Sequence, residues 1–125
     1  MSYPKRGEIY WVDIPEHHSV GREQFKQRPF VVVSCNQINS ANEIVVGVPL
    51  STKTGKKNRN HRILIAASDM VSSTAQGWKP QDSIALTEQL RALSLERFEQ
   101  PRIGKLTPRA LAAVELGIAY VLDLP

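Results

Sequence analysis

The sequence predicts a mainly-β fold with helices, an α+β arrangement in which a small, strongly bent sheet or barrel carries one C-terminal helix. Three observations carry this. Short runs of β-branched and aromatic residues recur along most of the chain. Clusters of turn-forming residues separate them. One stretch of clear helical periodicity comes last. The chain has 125 residues, enough for one domain spanning 1–125, and no candidate linker divides it.

The first strand is GEIYWVDI, Gly7 to Ile14, closed by Pro15. Glu16 to Gln27 is polar and has no clear period, which predicts a long loop, and long loops in compact domains are disproportionately functional. Phe30 to Cys35 is a continuous apolar run, expected of a strand covered on both faces. NQINSAN, Asn36 to Asn42, is turn chemistry. In EIVVGVPL, Glu43 to Leu50, alternation puts Ile44, Val46, Val48 and Leu50 on a core face and Val45, Gly47 and Pro49 on the other. Pro49 cannot donate to a ladder, so it belongs at a strand end or edge. Continued by one residue, the alternation gives Ser51 the parity of the small-residue face and Thr52 that of the core.

Ser51 to Asn60 reads as a polar, basic loop and His61 to Ala67 as a short strand. Gly77-Trp78-Lys79-Pro80 punctuates the chain. Ser83 to Leu90 suits a strand, although its Glu, Gln and Leu suit a helix as well, and Ser94 to Phe98 fits one helical turn. The closing helix has Thr107 as N-cap and Pro108 at its first position, with Leu111, Val114, Ile118 and Val121 on one apolar face.

Composition narrows the function classes. Hydrophobic residues make up 42% and charged residues 22%, the balance of an ordinary soluble globular chain. The formal charge is +4, and it is unevenly placed. Between Glu43 and Asp69 there is no acidic residue, while Lys53, Lys56, Lys57, Arg59 and Arg62 all fall there. Such a segment fits a nucleic-acid footprint, or simply a solvated loop. Cys35 is the only cysteine, so neither an internal disulfide nor a thiolate zinc site can form, and a small buried side chain is its expected role. No signal-peptide core or membrane-length apolar run is present, which places the protein in the cytoplasm with no membrane partner.

Metal catalysis has no support in the spacing. His17 and His18 are adjacent, His61 stands alone, and no HExxH pattern accompanies them. Phosphate-cradling glycine loops and a GxSxG elbow are absent as well. What remains is a set of polar groups at strand ends: Arg28, Ser51 and Thr52, and Glu88 and Gln89 beside Arg91. Strand ends converge in a small barrel, so residues far apart in sequence can meet there. Taken alone, each reads better as a surface arginine, a turn hydroxyl, or a glutamate paired with Arg91.

Together these residues resemble the MazF/PemK family of toxin endoribonucleases (mRNA interferases). The similarity is carried in order by Arg6-Gly7-Glu8-Ile9-Tyr10-Trp11, by Gly21-Arg22-Glu23-Gln24 leading to Arg28-Pro29 and Phe30-Val31-Val32-Val33, by Val48-Pro49-Leu50-Ser51-Thr52, by Ser83-Ile84-Ala85-Leu86-Thr87-Glu88-Gln89-Leu90-Arg91, and by Gly104-Lys105-Leu106. It covers nearly the whole chain. The resemblance implies an SH3-like barrel of the type shared with CcdB toxins, a homodimer, and sequence-specific cleavage of single-stranded RNA without metal or other cofactor. It also implies a cognate antitoxin with an acidic, partly disordered binding segment. The family's catalytic arginine falls on Arg28 and its catalytic hydroxyl on Ser51 or Thr52, with parity favouring Ser51. Glu88 takes the position of an acid in or near the site, with Gln89 beside it. The loop before Arg28 brings His17, Glu23 and Gln24 over the RNA groove, and Lys53, Lys56, Lys57 and Arg59 would bind the backbone.

The implied reaction is attack of the RNA 2′-hydroxyl on the neighbouring phosphate, giving a 2′,3′-cyclic phosphate and a 5′-hydroxyl. It needs a base for the 2′-proton, an acid for the leaving oxygen, and positive charge at phosphorus. An arginine fork suits the last task, but at its usual pKa it is a poor base. Glu88, Glu23 and His17 are the candidates for proton transfer. Two other readings remain: a non-enzymatic, CcdB-like toxin that binds a protein target such as gyrase, and a plain nucleic-acid-binding barrel.

Overall fold

The computed structural model describes residues 3–14, 21, 26–41, 43–56 and 59–125. Most of the expected long loop, including His17, Glu23 and Gln24, lies outside the described residues, as does Lys57. Among the described residues eight strands run β1 (Glu8–Ile14), β2 (Lys26–Val32), β3 (Ile44–Ser51), β4 (Arg62–Ile65), β5 (Met70–Ser72), β6 (Ser83–Leu86), β7 (Arg91–Ser94) and β8 (Gly104–Leu106). One helical turn, α1 (Asn36–Asn39), follows β2, and the long helix α2 (Pro108–Leu122) closes the chain. The strands pair antiparallel in the order β4-β6-β3-β2-β1-β8-β5, with β7 added to β3, and form a nearly closed barrel-like sheet.

The central strands are buried on both faces, as the apolar run after Pro29 predicts. Ile9, Val31, Val48 and Leu50 enter one cluster, where Ala110 and Val114 of α2 cover them. Tyr10, Val12, Phe30, Val32, Val45 and Leu93 form a second cluster on the opposite face. Each full burial of such a side chain is worth about 1.5–3 kcal/mol, so these two clusters set the register of β1, β2 and β3. Helix α2 starts as expected: Thr107 Oγ1 accepts from the Ala110 amide at 3.3 Å, with Pro108 in the first turn.

Several expectations shift. The second strand runs Lys26–Val32 rather than Phe30 to Cys35, because Val33 and Ser34 both donate to the Val46 carbonyl and the chain then turns into α1. Asn36 to Asn39 is therefore a helical turn rather than an open one. Cys35 is exposed at its start instead of buried. Ile44, placed on the core face by alternation, is exposed at the strand's open beginning. Ser83 to Leu90 divides into β6 and a 3₁₀ turn, Thr87–Gln89.

Pro49 explains that division. On one side of β3, residues Ile44 to Gly47 pair with β7, while Leu50 and Ser51 pair with β6. Pro49 falls in the gap, where its missing N–H ends one ladder before the next begins. The Thr87–Gln89 turn joins β6 to β7 across that gap.

Candidate active site

The β1–β2 ladder sets Arg28 opposite Val12 and Pro29 opposite Trp11. Pro29 biases Arg28 to an extended backbone, which the strand then keeps. The β2–β3 ladder pairs Phe30 with Pro49 and Val32 with Gly47. Continued two residues outward, the same register brings Arg28 level with Ser51, and residues opposed in an antiparallel pair share a face.

The two hydroxyls are differently placed. Ser51 is only 2% exposed, and its Oγ accepts from the Lys53 amide at 3.2 Å. Thr52 is exposed and lines a cavity of about 560 Å³ together with Arg28, Trp11 and Trp78. The structure thus buries Ser51 at the end of β3 and sets Thr52 with Arg28 on the cavity wall.

Glu88 is positioned from three directions. The Thr87 amide donates to the His61 carbonyl at 3.3 Å and the Thr87 hydroxyl donates to the same oxygen, tying the turn to β4. From behind, α2 approaches so closely at Gly117 that an added Cβ would lie 2.9 Å from Thr87 Cγ2. In front, Arg62 Nε and Nη2 grip Glu88 Oε2 at 2.9 and 2.8 Å. His61 Nε2 lies 3.8 Å from the same oxygen, and its ring stacks on Tyr120 at 6.1 Å. The partner is Arg62, not the Arg91 that proximity in sequence suggests. A second cavity, of about 390 Å³, is lined by Glu88, Gln89 and Arg91 with Phe30 and Pro49 as its floor.

Two buried side-chain atoms among the described residues have no hydrogen-bond partner: Arg28 Nε and Glu88 Oε1. Leaving such an atom unpaired costs about 1–3 kcal/mol, so native proteins rarely do it without reason. Both atoms belong to residues singled out from the sequence.

The remaining described candidates lie in the segment between β3 and β4. Lys53 and Arg59 are exposed. Lys56 ends a 3₁₀ turn, Thr54–Lys56, and its side chain lies outside what is described. Among the described residues no three His, Cys, Asp or Glu side chains converge as metal ligands, and no helix is long and apolar enough to cross a membrane. Sequence reasoning missed His61, Arg62 and Trp78 as neighbours of the candidate residues. Only the strand parities of β4 and the GW punctuation hinted at them.

Comparison with known proteins places the fold. Residues 5–122 match the model of the PemK-like, MazF-like toxins of type II toxin–antitoxin systems. The fold is shared with MazF from Deinococcus radiodurans, at a TM-score of 0.75 and 18% identity over 99% of this chain and 100% of that one. A mycobacterial endoribonuclease solved with its cognate antitoxin superposes at 0.72 with 20% identity, covering 98% of this chain and 97% of that one. The Mycobacterium tuberculosis toxin MazF-mt6 superposes at 0.70 with 14% identity, over 94% and 98% of the two chains. Identities this low speak for the fold, and the family match over nearly the whole length settles kinship: the chain belongs to the PemK-like, MazF-like toxins of type II toxin–antitoxin systems.

Proposed function

We propose that this toxin, working as one unit over residues 1–125, is a metal-independent endoribonuclease that cuts single-stranded RNA, mRNA included, and so arrests translation and growth. The observation that carries this is the pair of unpartnered buried atoms, Arg28 Nε and Glu88 Oε1, in a barrel of a toxin family known for endoribonucleases.

The roles follow from the chemistry of each group. The Arg28 guanidinium binds the scissile phosphate and stabilises the charge that builds on its oxygens. Ser51 or Thr52 adds a hydroxyl hydrogen bond to the same phosphate, Ser51 by register and Thr52 by its place on the cavity wall. Glu88 Oε1 takes the 2′-proton while Arg62 holds Oε2 and fixes the carboxylate's direction. The 2′-oxygen forms its bond to phosphorus as the bond to the 5′-oxygen breaks, and that oxygen leaves with a proton. Glu23 and His17 are the candidates for supplying it. Lys53, Lys56, Lys57 and Arg59 bind the backbone, and Gln24 and Gln89 read bases.

A homodimer in the cytoplasm, neutralised by an acidic, partly disordered antitoxin segment, completes the proposal. Its support is the family, together with the solved relatives described as complexes with an antitoxin.

The test is incubation of purified protein with a long single-stranded RNA in excess chelator, followed by mapping of the ends. The expected result is 2′,3′-cyclic phosphate and 5′-hydroxyl ends at preferred sequences, no cut in the matching DNA, and loss of cleavage in Arg28→Ala. RNA left intact by the wild type, or cut equally well by Arg28→Ala, overturns the reading.

A further inference from the structure

Helix α2 runs behind the Thr87–Gln89 turn and meets the surroundings of Glu88 at two residues, about one turn apart. Gly117 packs on Thr87, and Tyr120 lays its ring against His61. The two rings are nearly parallel, 7° between their planes, with centroids 6.1 Å apart, the spacing of an offset aromatic stack. The main chain of His61 is fixed as well, since its carbonyl accepts from both the Thr87 amide and the Thr87 hydroxyl. Backbone and ring are therefore held by different elements, the backbone by the turn that carries Glu88 and the ring by α2.

Held this way, the ring faces one oxygen. His61 Nε2 lies 3.8 Å from Glu88 Oε2, beyond hydrogen-bond reach and within ion-pair reach. Arg62 already grips that oxygen at 2.9 and 2.8 Å, and Oε1 is the buried atom without a partner. The His61 and Glu88 side chains are 19% and 27% exposed, so water screens the pair only in part. The other charged and titratable groups set against His61 can be named element by element. Its own segment contributes Arg62. Strand β6, paired with β4, contributes none, its residues being Ser83–Leu86. Helix α2 contributes the Tyr120 phenol, then Glu115 higher up, which is paired with Arg6, and exposed Asp123 at its end.

Histidine is the side chain whose charge changes between about pH 5 and 8. Neutral, His61 leaves Oε2 to Arg62. Charged, it becomes a second cation beside the same oxygen, and a cation within about 4–6 Å lowers a carboxyl pKa by about 1–3. We propose that His61, braced by Tyr120, is a positioning residue for Glu88: its neutral form leaves Oε1 able to take a proton, and its protonated form draws Oε2 toward itself and makes Oε1 a poorer base. The ring touches no reacting atom and acts through Glu88 alone. The effect on cleavage rests on the proposed ribonuclease reading, whereas the coupling of the two side chains does not.

Two measurements on the full chain test this. Cleavage of a long single-stranded RNA is timed at about pH 5.5 and about pH 8, with the folded fraction measured at both. Isotope-labelled glutamate lets NMR follow the Glu88 carboxyl carbon across the same range, its signal assigned by its loss in Glu88→Gln. Wild type is expected to cleave about 5- to 30-fold faster at the higher pH, since only part of a base's weakening reaches the rate. In His61→Gln that ratio should shrink at least about 3-fold, and the step that the Glu88 carbon makes in the histidine range should vanish. Tyr120→Ala should shrink the ratio partway and Tyr120→Phe restore it, because the brace is the ring face and not the hydroxyl. A wild-type ratio near one, a ratio kept in full by His61→Gln (as it would be if His17 set the profile), or a Glu88 carbon without the step overturns the proposal. Cleavage with no step refutes the coupling alone. No cleavage by wild type at either pH, with the step present and lost in His61→Gln, refutes the ribonuclease reading and leaves the coupling standing.

Discussion

Glu8 and Glu88 are held in opposite ways. Glu8 Oε1 accepts from the Lys5 amide at 2.7 Å and the Tyr10 hydroxyl at 3.0 Å, while Oε2 accepts from Arg102 Nη1 at 2.8 Å. Both of its oxygens are engaged. Glu88 has one oxygen clamped by Arg62 and the other buried without a partner. Glu8 is also the more buried of the two, with 11% of its side chain exposed against 27% for Glu88. The sharper difference lies in what is left over: a saturated carboxylate ties β1 to the segment before β8, and a half-saturated one leaves an oxygen with no hydrogen bond. Arg28, with its unpartnered Nε, belongs with Glu88.

The largest effect is expected where that remainder is removed. Arg28→Ala should lower RNA cleavage by about 100- to 1,000-fold, the usual loss of a group that stabilises transition-state charge. Glu88→Gln, which keeps the shape, should lose about 100-fold as a proton-transfer group. The melting temperature of Arg28→Ala should stay at the wild-type value or rise, because an unsatisfied group disappears from the fold. A large fall in melting temperature for Arg28→Ala would place it with Glu8 and erase the distinction.

Glu8→Ala should do the reverse. Losing hydrogen bonds to a largely buried charge costs about 1.5–3 kcal/mol, which for a chain of this size lowers Tm by about 10 °C. Cleavage per folded molecule should hardly change. The pair also has an alkaline signature. Burial and the Glu8 carboxylate beside it push the Tyr10 hydroxyl well above the ordinary phenol value of about 10. A group raised in the folded state stabilises below its unfolded value, and that stability is lost as pH rises past it. Stability should therefore fall above about pH 10, and less steeply in Glu8→Gln.

Gly117→Ala tests the link between the two classes. The added methyl would meet Thr87 Cγ2 and Ile63 Cγ1 at 2.9 Å. Overpacking costs about 1–3 kcal/mol, offset by about 1 kcal/mol of helix propensity. The net loss of stability should be small, yet the Thr87–Gln89 turn moves and carries Glu88 with it. Activity should fall more than Tm does, when both are measured on the same preparation.

Much of this layout was legible in the sequence, and the rest was hidden for definable reasons. The elements of β1, β2, β3 and α2 announce themselves because each has enough apolar residues to show a period. Strands β5, β7 and β8 have three or four residues each, too few to alternate visibly, and they owe their conformation to the neighbours they pair with. Arg28 alone read as an ordinary surface arginine and stood out only through its place in the ordered motif set. Glu88 stood out as a residue, but its partner did not: Arg62 is 26 positions away and arrives only because β4 pairs with β6. Trp78 read as punctuation, since nothing local says that its ring lies on Gly104 and lines a cavity together with Trp11.

The smallest effect is expected at Asp69. Its side chain accepts from Arg109 Nη2 at 3.0 and 3.1 Å and from Thr107 Oγ1 at 3.0 Å, so it fastens the first turn of α2 to the segment before β5. Those bonds, Arg109 first and then Thr107, hold its carboxyl below the ordinary value of about 3.9. A depressed carboxylate stabilises the fold above its unfolded pKa, and the contribution is lost as pH falls through the folded one. The acid limb of the stability curve, below about pH 4, should therefore flatten slightly in Asp69→Asn, with no change at neutral pH beyond the lost pairing. Arg109 is largely exposed, so about 1 M salt, with a Debye length of about 3 Å, should erase most of the ionic difference. The Thr107 cap survives that screening because it is a local hydrogen bond. Melting curves against pH at low and high salt separate the two. A salt-independent acid limb would mean that the cap, rather than the ion pair, is what Asp69 contributes to the helix that stands behind Glu88.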